Sequence, residues 1–252
     1  MSVRVRGLAF AYKDFRLRVD GLGFERSRLT AVVGPNGAGK TTFLKCLGAL
    51  LPTRAGAVTV DGRDLLRFKP GERARRIGFV PQEHGSVFNY AVLDFVLLGR
   101  AAHLGLLASP SAEDARIALD ALDYVGLRGF AARPIGQLSS GERRLALIAR
   151  ALAQATDILL MDEPTTFLDM RHEVEILGLV RRLAREAGKT VVCTLHNLET
   201  ALQYADDMVF MKDGAVLAAG PPGAVLSEAL LETVYGLPIR IRTVEGRTVL
   251  LR

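Results

Sequence analysis

A glycine-rich run that ends in lysine and two threonines is the segment whose chemistry the sequence defines best. Residues 34–42 read GPNGAGKTT and fit the pattern G-x-x-x-x-G-K-[ST]. An apolar run of strand character, residues 29–33, precedes it, and a run of helical character, residues 42–51, follows it. A strand that delivers such a loop to a helix start points successive backbone N–H groups at a phosphate, and the helix dipole adds partial positive charge. The sequence therefore predicts a nucleoside triphosphate site.

Every residue of this loop is a candidate nucleotide contact. The loop consists of Gly34, Pro35, Asn36, Gly37, Ala38, Gly39, Lys40, Thr41 and Thr42. Lys40 directs a full positive charge at the β- and γ-phosphate oxygens, and the Thr41 hydroxyl is a ligand for Mg²⁺. The alternative is a glycine-rich turn without a ligand, which the strand–loop–helix context disfavours.

Two carboxylates end an apolar strand further along the chain. Residues 158–161 read ILLM, and Asp162 and Glu163 follow them. Ligands of a parallel sheet lie beyond the carboxyl ends of its strands, so both acids are expected beside the phosphates. Adjacent strand residues point to opposite sides, which suits two tasks: Asp162 holds Mg²⁺ through its water shell, and Glu163 polarises the water that attacks the γ-phosphate. An ordinary strand end capped by acidic residues is the alternative.

A second potential anion site lies just before that strand. Residues 138–142 read LSSGE and run directly into a helical segment, residues 143–154. The Ser139 hydroxyl and the Gly141 N–H lie at the helix N-terminus, where anions bind. This is one phosphate site more than a single nucleotide requires, and an ordinary helix N-cap is the alternative.

The elements that position these residues read as an α/β fold. Apolar strands at 158–161, 190–195 and 208–211 alternate with helices such as 171–187, which predicts a parallel sheet covered on both faces. Residues 3–33 read as short alternating strands, which predicts a small antiparallel lobe at the start of the chain.

The middle of the chain reads differently from its two ends. From about 90 to 155 the apolar period is helical, with Ser111 as the cap of a helix that Gly126 ends. We therefore predict one domain over 1–252. Its core and β lobe come from about 1–84 and 156–252, and a helical subdomain over about 85–155 carries the LSSGE segment. Residues 239–243 and 248–251 are predicted to form a closing hairpin.

The composition fits a globular chain without the features of a nucleic-acid binder. The chain has 252 residues, 49% of them hydrophobic, and a net charge of +6. Its arginines are scattered, often beside acidic residues, as in RRLARE at 181–186, so no nucleic-acid partner is expected. No apolar run reaches the roughly 18–20 residues of a membrane helix, and the N-terminus lacks the apolar block of a signal peptide, so we expect a cytoplasmic chain. Cys46 and Cys193 lie in apolar segments and are expected to be reduced core residues.

Six segments in order resemble the motifs of the nucleotide-binding subunits of ABC transporters, over nearly the whole chain. In that family, residues 34–42 correspond to the Walker A loop, residues 138–142 to the signature motif and residues 158–163 to Walker B. Gln82 stands at the Q-loop position, and residues 167–169 (FLD) stand at the D-loop. The resemblance implies a RecA-like P-loop NTPase fold and ATP with Mg²⁺ as cofactors. Ser140 departs from the commoner LSGGQ form.

The resemblance also implies roles for single residues. His196 is at the position of the switch histidine, which contacts the γ-phosphate and positions water with Glu163. Gln82 touches Mg²⁺ or water and transmits the nucleotide state to the helical subdomain. Tyr12 is at the position of an aromatic residue that stacks on adenine, and Asp169 belongs to the nucleotide contacts. A surface or core histidine, a turn glutamine and a packing aromatic are the respective alternatives for His196, Gln82 and Tyr12.

The second anion site is explained by a head-to-tail dimer in this family. The loop with Ser139 and Gly141 of one subunit closes over the ATP held by the other subunit, so the resemblance implies a homodimer. The remaining histidines lack such a context and are expected at the surface; they are His84, His103 and His172.

Four further stretches resemble one subgroup, the ATPases of iron-chelate, haem and cobalamin importers. They are VLDFVLLGR at 92–100, LDMRH at 168–172, the segment 197–206 and VYG at 234–236. The resemblance implies a separate integral membrane permease and, indirectly, a substrate-binding protein. It also implies a peripheral position at the cytoplasmic face of the inner membrane.

Four alternatives remain. An exporter with separate subunits would share every catalytic motif, and only the subgroup stretches argue against it. A soluble iron–sulfur assembly ATPase usually lacks the run DEPT found at 162–165. A chromosome or repair ATPase needs a long coiled coil between its two Walker motifs, whereas only about 120 residues separate Lys40 from Asp162 here. A non-catalytic scaffold is disfavoured because Lys40, Glu163 and His196 are all present.

Overall fold

The computed structural model describes residues 2–82, 90–105 and 108–251. Within these ranges the strands are β1 (Val3–Val5), β2 (Leu8–Tyr12), β3 (Phe15–Val19), β4 (Leu22–Phe24), β5 (Leu29–Val33), β6 (Val58–Val60), β7 (Arg63–Asp64), β8 (Ile77–Val80), β9 (Ile158–Met161), β10 (Thr190–Thr194), β11 (Asp207–Lys212), β12 (Ala215–Gly220), β13 (Arg240–Val244) and β14 (Arg247–Leu251). The α-helices are α1 (Lys40–Leu47), α2 (Pro70–Ala74), α3 (Val92–Leu97), α4 (Ala112–Tyr124), α5 (Ser140–Ala153), α6 (Met170–Arg185), α7 (Leu198–Tyr204), α8 (Pro222–Val225) and α9 (Glu228–Tyr235). Short 3₁₀ helices lie at Leu65–Arg67, Leu98–His103, Arg128–Phe130 and Ile135–Gln137.

A mixed eight-stranded sheet in the order β2-β3-β12-β11-β5-β10-β9-β8 forms the centre of the molecule. Strands β11, β5, β10, β9 and β8 pair in parallel, which confirms the predicted parallel core. Strands β5, β9 and β10 are buried at every residue. Helix α1 covers one face of the sheet and α6 covers the other, and this double cover is why these strands read as continuous apolar runs.

Antiparallel strands at the start of the chain form a second sheet, in the order β4-β1-β6-β7. The hairpin of β2 and β3 was predicted to belong to this antiparallel lobe, but it joins the edge of the central sheet instead. The link is a parallel contact between Arg18 and Ala215. Gly214 makes this contact possible. Its φ is 74°, and a Cβ atom there would lie 1.9 Å from the carbonyl oxygen of Arg16, so only glycine lets β12 approach β3 this closely.

Helices α3, α4 and α5 pack on one another and form the predicted helical insertion. Ser111 caps α4, which ends just before Gly126, as predicted. A buried ion pair ties the insertion together: Arg100 Nε lies 2.9 Å from Asp114 Oδ1, and Arg100 Nη1 donates to the Ala153 carbonyl at 2.8 Å. Hydrogen bonds from Ser111, and then from Arg100, lower the pKa of Asp114 from 3.8 to about 2. Residues 85–89, 106 and 107 of the predicted stretch lie outside the described residues.

The chain ends in the predicted hairpin, with β13 antiparallel to β14 and Thr243 opposite Thr248. Cys46 and Cys193 are both buried free thiols, as predicted, and burial raises their pKa values to about 11 and about 12. Throughout the described ranges, no helix has both the length and the apolar character needed to cross a membrane.

Candidate active site

The predicted phosphate-binding loop and the predicted catalytic residues follow four neighbouring strands of the central sheet, all at the same end. The loop 34–42 follows β5, His196 follows β10, Asp162 and Glu163 follow β9, and Gln82 follows β8. Adjacent parallel strands end at the same edge, where α/β proteins bind their ligands. The strand order β5-β10-β9-β8 therefore brings together four segments that are far apart in the sequence.

The glycine-rich loop delivers the chain to the N-terminus of α1. Gly39 has a φ of 95°, and no side chain caps the first turn of the helix. The ring of Phe15 lies directly on Gly39, where a Cβ atom would be 2.5 Å from Phe15 Cζ. The loop is further tightened by a hydrogen bond from the Ala38 N–H to the Pro35 carbonyl, at 3.2 Å. The N–H groups of the first turn of α1 are thus available to an anion.

Lys40 is the cation of this loop. Its side chain is buried, with 6% of the residue exposed, and Nζ donates to the carbonyl oxygens of Gly34 at 2.8 Å and Pro35 at 3.0 Å. Burial lowers the pKa of Lys40, whereas the charges of Glu163 and Asp162 act in the opposite direction. A partly desolvated ammonium beside a helix N-terminus interacts strongly with phosphate.

Asp162 is buried beside the loop and meets two hydroxyl groups. Its Oδ1 accepts hydrogen bonds from Thr41 Oγ1 at 2.9 Å and from Thr194 Oγ1 at 2.8 Å. Carboxylate and hydroxyl oxygens are the ligands that Mg²⁺ prefers, and Mg²⁺ usually shares few protein ligands with substrate phosphates. No group of three or more His, Cys, Asp or Glu residues in the described part of the chain is arranged to hold a metal alone. The pair of Thr41 and Asp162 therefore fits a Mg²⁺ ion that is also bound by phosphate.

Glu163 lies at the centre of a hydrogen-bond network. Its Oε2 accepts from Gln82 Nε2 at 2.8 Å and from Thr166 Oγ1 at 2.9 Å, and its N–H donates to Thr194 Oγ1 at 2.7 Å. Gln82 reaches Glu163 because of the strand pairing: β8 and β9 pair with Val80 opposite Met161. Gln82 lies two residues after Val80, and Glu163 lies two residues after Met161. Glu163 has a positive φ of 45°, a conformation that non-glycine residues seldom adopt outside constrained sites.

Sequence reasoning missed Thr194 and Thr166. Thr194 is fully buried at the end of β10, and its one hydroxyl links the side chain of Asp162 to the backbone of Glu163. A signal was present, because Thr194 is the polar end of an apolar strand two residues before His196. Thr166 lies three residues after Glu163 in a turn, and nothing in the local sequence separates it from an ordinary turn residue.

A cavity of about 500 Å³ lies beside the loop, and Tyr12 is among the residues that line it. Tyr12 is 63% exposed, so its ring face is accessible to a planar ligand. The other lining residues are Phe10, Phe15, Asn36, Gly37, Gly39, Lys40, Thr41, Thr42, Lys45, Leu51 and Glu163. Sequence reasoning missed Phe10 and Phe15. Strand alternation was the available signal for Phe10, which lies two residues before Tyr12 on the same face of β2, while Phe15 lies opposite Tyr12 across the hairpin.

His196 lies on the other side of the loop. It is exposed, and it lines a second cavity, of about 520 Å³, together with Gly34, Pro35 and Asn36. Asn36 lines both cavities, so the two are neighbours across the loop. The structure thus places His196 beside the loop, and its contact with the γ-phosphate stays a prediction.

The second predicted anion site is at the start of α5. Ser139 caps the helix: its Oγ accepts from the Glu142 N–H at 3.2 Å, and Glu142 Oε2 accepts from the Ser139 N–H at 2.7 Å. Hydrogen bonds from Ser139 lower the pKa of Glu142. Neither Ser139 nor Gly141 lines the two cavities described above, so this site does not meet the loop of its own chain there.

Asp169 caps α6 through His172, which lies three residues further on. Asp169 Oδ1 accepts from the His172 N–H and from His172 Nδ1, both at 2.9 Å. The imidazole also lies against Gly141, so His172 is a partly exposed histidine with two specific contacts. His103 is partly buried, with Nε2 lying 2.9 Å from the Gln154 carbonyl oxygen, and His84 lies outside the described residues.

P-loop ATPases are defined by a phosphate-binding loop between a parallel strand and a helix. A pair of acidic residues ends the strand that lies two positions away in the same sheet, as β9 does from β5 here. The chain belongs to the ABC transporter family, whose sequence profile matches residues 17–166, more than half of its length. It is an ATP-binding ABC ATPase subunit, as predicted.

Individual proteins agree with this assignment. The hemin import ATP-binding protein of Streptomyces coelicolor is 40% identical over 225 residues, which is 88% of this chain and 79% of that protein. A solved chain described as a metal-chelate type ABC transporter in an inward-facing conformation is 31% identical, with a TM-score of 0.85 over 99% of this chain and 96% of the other. A dimeric bacterial ABC transporter cassette is 28% identical, with a TM-score of 0.74 over 87% of this chain and 98% of the other.

Proposed function

We propose that this chain hydrolyses ATP to drive a membrane permease that imports a metal chelate of the iron-siderophore, haem or cobalamin type. The observation that carries the ATPase part is the network around Glu163, which joins residues from three strands at the phosphate-binding loop. The substrate class is supported by the similarity to a hemin import protein and to a metal-chelate type transporter.

In this proposal the phosphates lie on the loop, held by its N–H groups and by Lys40. Glu163 accepts a proton from a water molecule whose oxygen attacks the γ-phosphorus, and the bond to the β-phosphate oxygen breaks. Gln82 and Thr166 hold the carboxylate in place through its Oε2 atom. His196 contacts the γ-phosphate from the opposite side of the loop. Mg²⁺, when bound, neutralises charge on the β- and γ-phosphate oxygens, and Thr41, Asp162 and Gln82 would hold it.

A second copy of the chain completes each site. Ser139 and Gly141 form a helix N-terminus that suits a phosphate, yet they line neither cavity beside their own loop. Asp169 belongs to the same proposed contact surface, where the neighbouring side chains of Phe167 and Met170 are 91% and 81% exposed. Large apolar side chains with this exposure favour a protein partner. A head-to-tail homodimer would bring these groups to the neighbour's nucleotide.

The permease is the second proposed partner. A substrate-binding protein is an indirect partner, which the chain reaches through the permease. Arg144, on α5, donates to the Pro81 carbonyl at 2.9 Å, so the helical insertion is directly linked to the segment that holds Gln82. A change at Gln82 on hydrolysis would therefore reach the helical insertion and the permease seated on it. The position that follows for this chain is peripheral, at the cytoplasmic face of the inner membrane.

The division of the chain into a core with a β lobe and a helical subdomain, with bounds at about 85 and 155, is part of the same proposal.

The test is capture of partners with a hydrolysis-deficient variant. Tagged Glu163→Gln protein is purified from detergent-solubilised native cells with ATP present, and the bound proteins are identified by mass spectrometry. A polytopic permease of the metal-chelate importer kind supports the proposal. An export permease, or a soluble assembly partner without any membrane protein, would overturn the import part and keep the ATPase part.

The same variant tests the chemistry. Glutamine keeps an oxygen for Gln82 and Thr166 but cannot accept the proton, so turnover should fall at least about 100-fold while ATP binding and ATP-dependent dimerisation persist. Near-normal turnover would remove Glu163 from the role of general base.

A further inference from the structure

The N-terminus of α5 and the loop before α6 are joined through one side chain, His172. Its Nδ1 lies 2.9 Å from both carboxylate oxygens of Asp169. A carboxylate can only accept hydrogen bonds, so Nδ1 is the donor in this contact, and hydrogen bonds from His172 lower the pKa of Asp169. The ring orientation is thus fixed from the side of Asp169.

Another part of the same ring, around Cδ2, lies against Gly141. A Cβ atom on Gly141 would be 2.4 Å from His172 Cδ2 and 2.9 Å from Nε2, which are distances that real Cβ atoms do not adopt. Gly141 is an ordinary helical residue of α5 and is absent from the positions with positive φ. With the imidazole in this position, space rather than backbone conformation favours glycine, since a side chain at position 141 would have to displace the ring. Glycine and imidazole form a matched contact within one chain.

We propose that His172 is a positioning residue that holds the start of α5 and the Phe167–Asp169 loop as one unit. The inference rests on the proposed function, because it is the neighbour's nucleotide that this unit would meet. Ser139 and Gly141 on one side, and Asp169 on the other, would then approach that nucleotide in a fixed relative position. Prior fixing of the two segments lowers the entropy lost when the dimer closes.

The first test compares variants in the Glu163→Gln background, with ATP-dependent dimerisation measured by sedimentation. His172→Ala removes the hydrogen bond and the ring contact, and should raise the dimer dissociation constant about tenfold, while ATP affinity of the monomer is unchanged. His172→Phe keeps a ring without the Nδ1–H and should behave like His172→Ala. His103→Ala is the matched control, since His103 contacts Gln154 in another part of the insertion and should leave dimerisation unchanged.

The second test uses the steric match. Gly141→Ala should weaken dimerisation at least about tenfold, because the added methyl group displaces the ring or the helix. The double variant Gly141→Ala with His172→Ala should dimerise about as well as His172→Ala alone, because the added methyl group then has no ring to displace. A double variant as weak as the product of the two single effects would show that Gly141 is needed for another reason, and would overturn the proposal.

A third measurement separates this inference from the dimer proposal. Amide hydrogen exchange of the monomer needs no partner, and His172→Ala should speed exchange at Leu138–Glu142 and at Leu168–Met170, whereas His103→Ala should not. Unchanged exchange would refute the link even where dimerisation is normal. Faster exchange in a protein whose Glu163→Gln form never dimerises would keep the link and refute the dimer.

Discussion

Replacement of Thr194 by valine tests whether one buried hydroxyl holds both acids of the site. Valine has nearly the same shape, so the change removes two hydrogen bonds and leaves the packing of β10 in place. One bond goes from Thr194 Oγ1 to Asp162 Oδ1 at 2.8 Å, and the other comes from the Glu163 N–H at 2.7 Å. Thr194 is fully buried, so water cannot take over either bond without a rearrangement.

The magnitude follows from these two contacts. A hydrogen bond to a charged acceptor contributes about 1.5–3 kcal/mol, and a buried N–H left without its partner costs about 1–3 kcal/mol. The extra methyl group offsets about 0.8 kcal/mol of this loss. The free energy of unfolding should therefore fall by about 2–5 kcal/mol. With a urea m-value of about 3 kcal/mol/M, the unfolding midpoint should fall by about 0.7–1.7 M.

The same substitution should slow ATP hydrolysis. The backbone of Glu163 is held at a φ of 45° with its N–H on this hydroxyl, so loss of the bond displaces the carboxylate. A shift of about 1 Å in a reacting group costs up to about 100-fold in rate, and we expect kcat to fall at least about tenfold. Steady-state phosphate release measures this.

Thr194→Ser is the control, because serine keeps the hydroxyl and loses one methyl group. It should unfold within about 1.5 kcal/mol of the parent protein and retain most of its turnover. Parent-like stability and kcat in Thr194→Val would refute the role of this hydroxyl in holding the two acids. A fall in stability with an unchanged kcat would refute its catalytic role alone.

Three further predictions concern other contacts. Lys40→Ala should weaken ATP binding at least about tenfold, as measured by calorimetry, because the loop loses its charge-assisted phosphate contact; unchanged affinity would refute that role. Asp114→Asn should lower stability, and since the folded pKa of about 2 lies below the ordinary 3.8, the stabilisation is present above about pH 5 and is lost as the pH falls toward 2. The gap between the urea midpoints of parent and variant should therefore narrow on acidification, and a constant gap would contradict this account. Arg144→Met keeps the buried stem and removes the donor to the Pro81 carbonyl. It should lower permease-stimulated turnover more than the basal rate, and equal losses would argue against a link to Gln82.

The sequence was sufficient to predict the chemical groups but not how they contact one another. The loop 34–42 and the acids Asp162 and Glu163 could be found because each sits in a local pattern of strand, loop or helix. The contact of His172 with Gly141 could not be found, since it joins two helix starts whose distance depends on how α5 and α6 pack. The β2–β3 hairpin was assigned to the wrong sheet for a similar reason, because its partner β12 lies about 200 residues further on.

The register of the parallel strands determines how residues from distant parts of the sequence are placed next to one another in the site. Strand β10 pairs in parallel with β9, with Val192 opposite Leu160 and Cys193 opposite Met161. The next pair in this register is Thr194 and Asp162, whose side chains fall on the same face and meet at 2.8 Å. A slip of one residue would place Cys193 or Leu195 beside Asp162 and leave the carboxylate without this donor. The apolar residues of β9 and β10 therefore determine where the acids lie. Alternate residues of these strands pack into two different hydrophobic cores, and a slip of one residue would exchange them.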